Sequence, residues 1–145
     1  MIKMEKRPKI GIGVMVLDEE RVLMQKRKNS HGDGTWSFPG GHLEYHENFR
    51  DCARREVYEE TGLEVDVIDD YPVAVTNDFF EEGKHYVTLY LRARPISGEP
   101  ETREKDKLSE IDWFPWEKLP RPLFKPLENL IKQDYDPFKD LYKNQ

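Results

Sequence analysis

Between Asn48 and Gly62 runs a segment that is helical by its local signs and yet sets acid on the face that should pack. Asn48 suits an N-cap, Asp51 sits three residues on, and Gly62 suits the position just past a helix C-terminus. On a wheel of about 100° per residue, Phe49, Cys52 and Ala53 form one stripe with Val57 at its edge. Arg50, Asp51, Arg54 and Tyr58 fall on the opposite side. Glu56 and Glu60 lie within about 20° of Phe49, in the middle of the apolar stripe. Glu59 borders the stripe and Arg55 lies beyond it. Burying an unpaired carboxylate is costly, and two on adjacent turns repel each other. Either the stripe stops at Ala53 and the acids are solvated, or something positive compensates them. A hard divalent cation fits the second reading, because Mg²⁺ prefers carboxylate oxygen and keeps waters for a phosphate ligand. Arg55 and Glu59 are four residues apart and can pair, which holds Glu59 at the margin.

The rest of the chain supplies strands around this helix. Ile10–Leu17 and Arg21–Arg27 flank Asp18-Glu19-Glu20 and read as a hairpin. Residues 28–35 are a Gly/Asn/Ser/Asp loop, Trp36-Ser37-Phe38 is short and extended, and Pro39-Gly40-Gly41 must turn sharply. Strands are expected over Val65–Tyr71, Ala74–Phe80, Tyr86–Ala93 and Ile111–Phe114, with a long polar loop from Arg94 to Ser109. Pro122–Gln133 reads as a second helix, with Leu123, Leu127, Leu130 and Ile131 at helical spacing. Strands mixed with two helices imply an α/β or α+β sandwich, and no stretch reads as a linker. One domain over residues 1–145 is expected.

Charge narrows the function classes. Lys and Arg number 23 against 29 Asp and Glu, for a net charge of −6. Such a total gives no general attraction to a nucleic acid polymer or an anionic membrane, and neither is expected as a partner. The apolar run Ile10–Leu17 is too short to span a bilayer, and Asp18-Glu19-Glu20 follows it where a leader would need small residues. A buried first strand is expected instead. One cysteine, Cys52, excludes an internal disulfide framework and fits a reducing, cytoplasmic setting. Cys52 falls on the apolar face and is expected in the core, not as a nucleophile.

Gly41 to Leu63 reads GHLEYHENFRDCARREVYEETGL. The order Gly41, five residues, Glu47, seven residues, Arg55-Glu56-Val57, one residue, Glu59-Glu60, one residue, Gly62-Leu63 resembles the signature box of the Nudix hydrolases at every defined position. The likeness continues through Gln25-Lys26-Arg27-Lys28, Phe38-Pro39-Gly40-Gly41-His42, His85-Tyr86-Val87-Thr88, Trp113-Phe114-Pro115-Trp116-Glu117 and Tyr135-Asp136-Pro137-Phe138. These are similar to the branch that cleaves nucleoside triphosphates, including 8-oxo-dGTP.

The resemblance implies a Nudix α/β/α sandwich with a mixed sheet, box residues 41–63 as loop–helix–loop, and hydrolysis using Mg²⁺, with Mn²⁺ as a possible substitute. It implies Glu56 and Glu60 as metal ligands, Glu59 as a third ligand or base, and the Gly41 carbonyl as a further ligand. It makes Arg55 the group that orients the glutamates and Glu47 a structural one. Either Glu59 or Glu56 takes the water proton. A fourth carboxylate is expected from Glu101, Glu104, Asp106 or Glu110, with no basis for choosing. Arg27 and His42 are the candidate phosphate donors, beside Gly40. Thr88, Phe124 and Leu127 match the base pocket, with Phe124 placed to stack on a base. The match departs at Lys125-Pro126-Leu127-Glu128, where a member of the branch has Trp-Gly-Leu-Arg. Pro126 has no N–H to offer a guanine. A purine nucleoside triphosphate is the expected substrate, giving a monophosphate and pyrophosphate. ADP-ribose, a dinucleotide or capped RNA is the alternative within the fold, and a non-catalytic nucleotide-binding module the alternative outside enzymes. A homodimer is implied by the resemblance alone.

Overall fold

A computed structural model describes residues 6–139 and 141. Its centre is β1 (Lys9–Asp18), whose near-continuous apolar run is covered on both faces, as expected of a buried parallel-type strand. Ile12, Val14 and Val16 pack into one core layer; Met15 and Leu17 pack into the other. β1 turns through Glu19 and Glu20, both with positive φ, into β2 (Arg21–Arg27). Beside β1 on its other edge, in parallel, runs β7 (His85–Ser97). β7 in turn carries β5 (Glu64–Val67) and β6 (Ala74–Phe79), both antiparallel. β2 pairs with β3 (Trp36–Ser37) and β8 (Leu108–Pro115). The sheet is therefore mixed.

Helix α1 (Phe49–Thr61) covers one face with Cys52, Ala53 and Val57, over Val14, Leu91 and Ala93. Helix α2 (Lys125–Ile131) covers the other with Leu127 and Leu130, over Met15, Met24 and Tyr90. The result is the three-layer α/β/α sandwich the sequence implied. No described helix is long and apolar enough to cross a membrane.

Several elements differ from the sequence reading. Gly40-Gly41-His42 is not simply a turn but a strand, β4, antiparallel to Gly11-Ile12-Gly13 of β1. A Cβ on Gly40 would collide with the Ile12 carbonyl, so the approach requires glycine. β5 stops at Val67, short of Tyr71, because Asp69 turns to bond the Arg92 N–H and guanidinium. β7 continues through Arg94 and Pro95 to Ser97, where a loop was expected. Its pairing with β1 ends at Ala93, so Pro95 stands beside a bulge where a missing N–H is tolerated. β8 begins at Leu108, earlier than Ile111, because β2 is long enough to pair with it throughout. α2 is shorter than Pro122–Gln133: the Trp36 N–H bonds the Pro122 carbonyl and the Phe124 N–H bonds the Trp36 carbonyl, which holds residues 122–124 extended against β3.

Candidate active site

The caps of α1 form as its residues dictate. Asn48 Oδ1 accepts from the Asp51 N–H at 2.8 Å, and Gly62 adopts the left-handed conformation at φ 79°. The last turn is finished from outside. The Arg103 N–H bonds the Glu60 carbonyl at 3.0 Å and the Glu101 N–H bonds the Thr61 carbonyl at 3.0 Å. The polar loop between β7 and β8 is thereby docked onto the acid-bearing end of the helix.

The acids of the stripe are buried to different degrees. Glu60 reaches inward, where its Oε1 accepts from the Gly40 N–H at 2.7 Å and from Gln25 Nε2 at 3.2 Å. Burial, opposed by those bonds and reinforced by Glu56 and Glu104, pushes its pKa up to about 8. Glu56 lies against Gly41, where a Cβ would overlap its carboxylate. Its pKa is also raised, by burial and then by Glu59 and Glu104, with Arg55 opposing. Glu59 stays at the rim with its side chain 52% exposed. The stripe thus extends past Ala53, and the solvated reading fails for Glu56 and Glu60.

Arg55 organises this cluster. It bonds Glu47 twice, at 2.8 and 2.9 Å, Glu56 at 2.7 Å and Glu59 at 3.4 Å. The pairing expected with Glu59 is therefore weaker than those with Glu47 and Glu56, and only Glu44, at 3.8 Å, is farther. The Arg55 bonds bring the Glu47 carboxyl down to about 2, and the guanidinium pKa rises in return. Cys52 is fully buried in the core layer under α1, as expected, and burial pushes its thiol up to about 12.

A cavity of about 370 Å³ opens beside Glu60. Gly40, Gly41, His42 and Glu104 line it on the acidic side; Thr88, Phe124 and Leu127 line it on the other. Arg27 lies between them. Its guanidinium sits 4.1 Å from the Phe124 ring centroid and its Nε donates to the His31 carbonyl at 3.0 Å. Arg27 therefore covers one face of Phe124, and a stacking base has to meet the ring elsewhere. His42 stacks on Tyr86 at 5.6 Å, and burial with Lys9 keeps its pKa below the ordinary value. His31, Phe80 and Tyr86 complete an aromatic wall around Phe124.

Of the four acids in the polar loop and the start of β8, the structure singles out Glu104. It lines the cavity and raises the pKa of both Glu56 and Glu60. Glu101 pairs with Arg103 at 3.0 Å and Glu110 with Lys26 at 3.5 Å, whereas Glu104 meets Lys107 only at 4.0 Å. Sequence reasoning also missed Gln25, which steers Glu60, and Gly11 and Gly13, which line the cavity from β1. The broken apolar run of β1 was the available signal for the two glycines.

Among the described residues, no three of His, Cys, Asp and Glu converge as a ready metal cage. Glu60 is turned to Gly40 and Glu56 is held by Arg55. The donor set nevertheless suits a divalent cation: two buried carboxylates one turn apart, a third beside them on Glu104, and raised proton affinities that a cation would replace.

Residues 7–135 match the NUDIX domain model, and the chain belongs to the Nudix hydrolases, enzymes that act on phosphoric anhydrides. Two curated relatives are the oxidized purine nucleoside triphosphate hydrolase of Danio rerio and the 8-oxo-dGDP phosphatase NUDT18 of Mus musculus. The first is 33% identical over 108 residues, covering 74% of this chain and 66% of that protein. The second is 32% identical over 117 residues, covering 79% of this chain and 34% of that protein. The chain thus spans about a third to two thirds of these relatives. Among solved structures, the MutT NUDIX hydrolase of Burkholderia pseudomallei superposes with a TM-score of 0.77 at 28% identity, over 89% of this chain and 98% of that one.

Proposed function

We propose that the protein hydrolyses purine nucleoside triphosphates of the dGTP or 8-oxo-dGTP kind to the monophosphate and pyrophosphate. The observation that carries this reading is one cavity joining a buried carboxylate cluster to an aromatic wall, with Arg27 between them. Two relatives named for oxidized purine nucleotides support the choice of base.

Glu56, Glu60 and Glu104 would hold Mg²⁺ or Mn²⁺, with the Gly41 carbonyl adjacent. A bound divalent cation neutralises phosphate oxygens and lowers the pKa of its water. Arg27 and the His42 N–H face the phosphoryl oxygens as charge builds there. Glu59, at the rim and only loosely held by Arg55, accepts the proton of the attacking water. Arg55 holds Glu56 and Glu59 in place. The protein acts as a homodimer on this reading; a light-scattering mass near 17.3 kDa rejects that part alone.

The test is pyrophosphate release from dGTP, 8-oxo-dGTP and dATP, beside turnover of ADP-ribose, a dinucleotide and capped RNA, with and without Mg²⁺. Mg²⁺-dependent release from the triphosphates, lost in folded Glu60→Gln protein, is expected. Turnover confined to the other compounds moves the substrate class, and no turnover of a folded protein on any of them removes the enzymatic reading.

A further inference from the structure

Asp78 of β6 has no exposed surface, and the chemistry above makes no use of it. Its carboxylate accepts three side-chain hydrogen bonds. Thr88 Oγ1 donates to Oδ2 at 2.6 Å, Thr76 Oγ1 donates to the same oxygen at 3.1 Å, and Asn129 Nδ2 donates to Oδ1 at 2.9 Å. A carboxylate has no proton to give, so both hydroxyls commit theirs to it. Thr76 also meets the Tyr90 hydroxyl at 3.1 Å. With the Thr76 proton already committed, the Tyr90 phenol donates. Every proton in this cluster therefore points along a path that ends on Asp78.

Two members of the cluster, Thr88 and Tyr90, line the cavity. What leaves them open is β1. Gly11 stands opposite Thr88 and Gly13 opposite Tyr90 in the parallel register. A Cβ on Gly11 would sit 3.6 Å from Thr88 Oγ1, and one on Gly13 would press on the Tyr90 ring. A hydroxyl whose proton is spent can only accept from a ligand. The head of α2 offers little to compete: the Leu127 and Glu128 N–H groups both bond the Phe124 carbonyl, and Pro126 has none.

We propose that Asp78 is a positioning residue that fixes Thr88 as a hydrogen-bond acceptor, so that the cavity selects bases presenting an amino group to Thr88 over bases presenting a carbonyl, a bare nitrogen or a C–H there. This specificity rests on the nucleotide reading of the cavity. Discrimination of this kind arises because an analogue lacking the donor leaves a desolvated acceptor unpaired.

The experiment uses substrate pairs that differ by one amino group: dGTP against dITP, and dATP against purine deoxyriboside triphosphate. In the wild type, removing the amino group lowers kcat/KM by about tenfold or more in one pair. Thr88→Val, which keeps the shape and deletes the hydroxyl, reduces that ratio to about twofold. Asp78→Asn tests the direction itself. The Asn129 amide donates to both the Asn77 carbonyl and position 78, so the new side chain turns its oxygen toward Asn129. Its NH₂ then faces Thr88, which becomes free to donate into the cavity, and the ratio falls toward unity or inverts. Folded Asp78→Asn protein with the wild-type ratio overturns the proposal. So does a wild type that releases pyrophosphate equally from both members of each pair. Where Asp78→Asn does not fold, Thr88→Val decides, and an unchanged ratio overturns the proposal. Calorimetric binding of the non-hydrolysable α,β-methylene pairs separates the two levels: discrimination in binding without turnover retains the specificity and removes the hydrolase reading.

Discussion

Two inward-turned carboxylates serve one cavity, Glu60 lining it and Asp78 standing behind Thr88, and they are solvated by the protein in different ways. Glu60 receives two donors, a backbone N–H and a glutamine amide, and has other acids beside it. Asp78 receives three side-chain donors, none of them acidic or basic. The first is left short of positive charge, which is why the proposed function assigns it a cation. The second is completed by hydroxyls and an amide, and its effect is to order them. Burial alone therefore does not distinguish a metal ligand from an organising anion; the number and kind of donors does.

Substitutions on the acidic side test this contrast through rate. Glu60→Gln should lower Mg²⁺-dependent turnover by about 10²–10³-fold, because it removes a ligand while keeping the bonds to Gly40 and Gln25 available. A variant within threefold of wild type breaks the assignment. Arg55→Ala should cost about 10–100-fold, as loss of an orienting partner does. It should also lower the thermal midpoint, since Glu47 and Glu56 lose their counter-charge; an unchanged midpoint with full activity contradicts the role. Glu104→Gln should cost about tenfold, while Glu101→Gln, Asp106→Asn and Glu110→Gln change kcat/KM by less than about twofold. Equal losses in all four indicate loop disruption instead.

The smallest effect is on stability at low pH. The Glu47 carboxyl titrates near 2 in the folded protein, below its ordinary 4.5. Its pairing with Arg55 therefore stabilises the fold fully above pH 4.5 and progressively less as the pH falls toward 2. The thermal midpoints of wild type and Glu47→Gln should differ at pH 5, and the gap should narrow as the pH falls from 4.5 toward 2. A gap that stays constant over that range removes Glu47 as its source.

What the sequence revealed and what it hid follow a physical division. The α1 caps, the Cys52 burial and the acids in the apolar stripe were all legible, because each depends on neighbours within a turn or two of helix. The α/β/α layering followed from the family resemblance and from the doubly buried run of β1. Strand ends were less legible: β7 reaches Ser97 through Pro95 because of its partner, not its own composition. Glu104 was one of four equal acids until the loop docked it on α1. Arg27 was expected at the phosphates, and its contact with Phe124 joins residues nearly a hundred positions apart. Asp78 gave no signal, since an aspartate beside a turn in a charged chain is ordinary.

The two hydrogen bonds from the polar loop to the end of α1 have a consequence for how the site comes apart. Glu104 is held a few residues from the N–H groups that finish the helix, so detachment of the loop withdraws one carboxylate and uncaps the turn bearing Glu60 in a single opening event. The Glu101 and Arg103 amides are thus natural reporters of whether the cation-binding set is assembled, and their hydrogen exchange should slow together when Mg²⁺ is added.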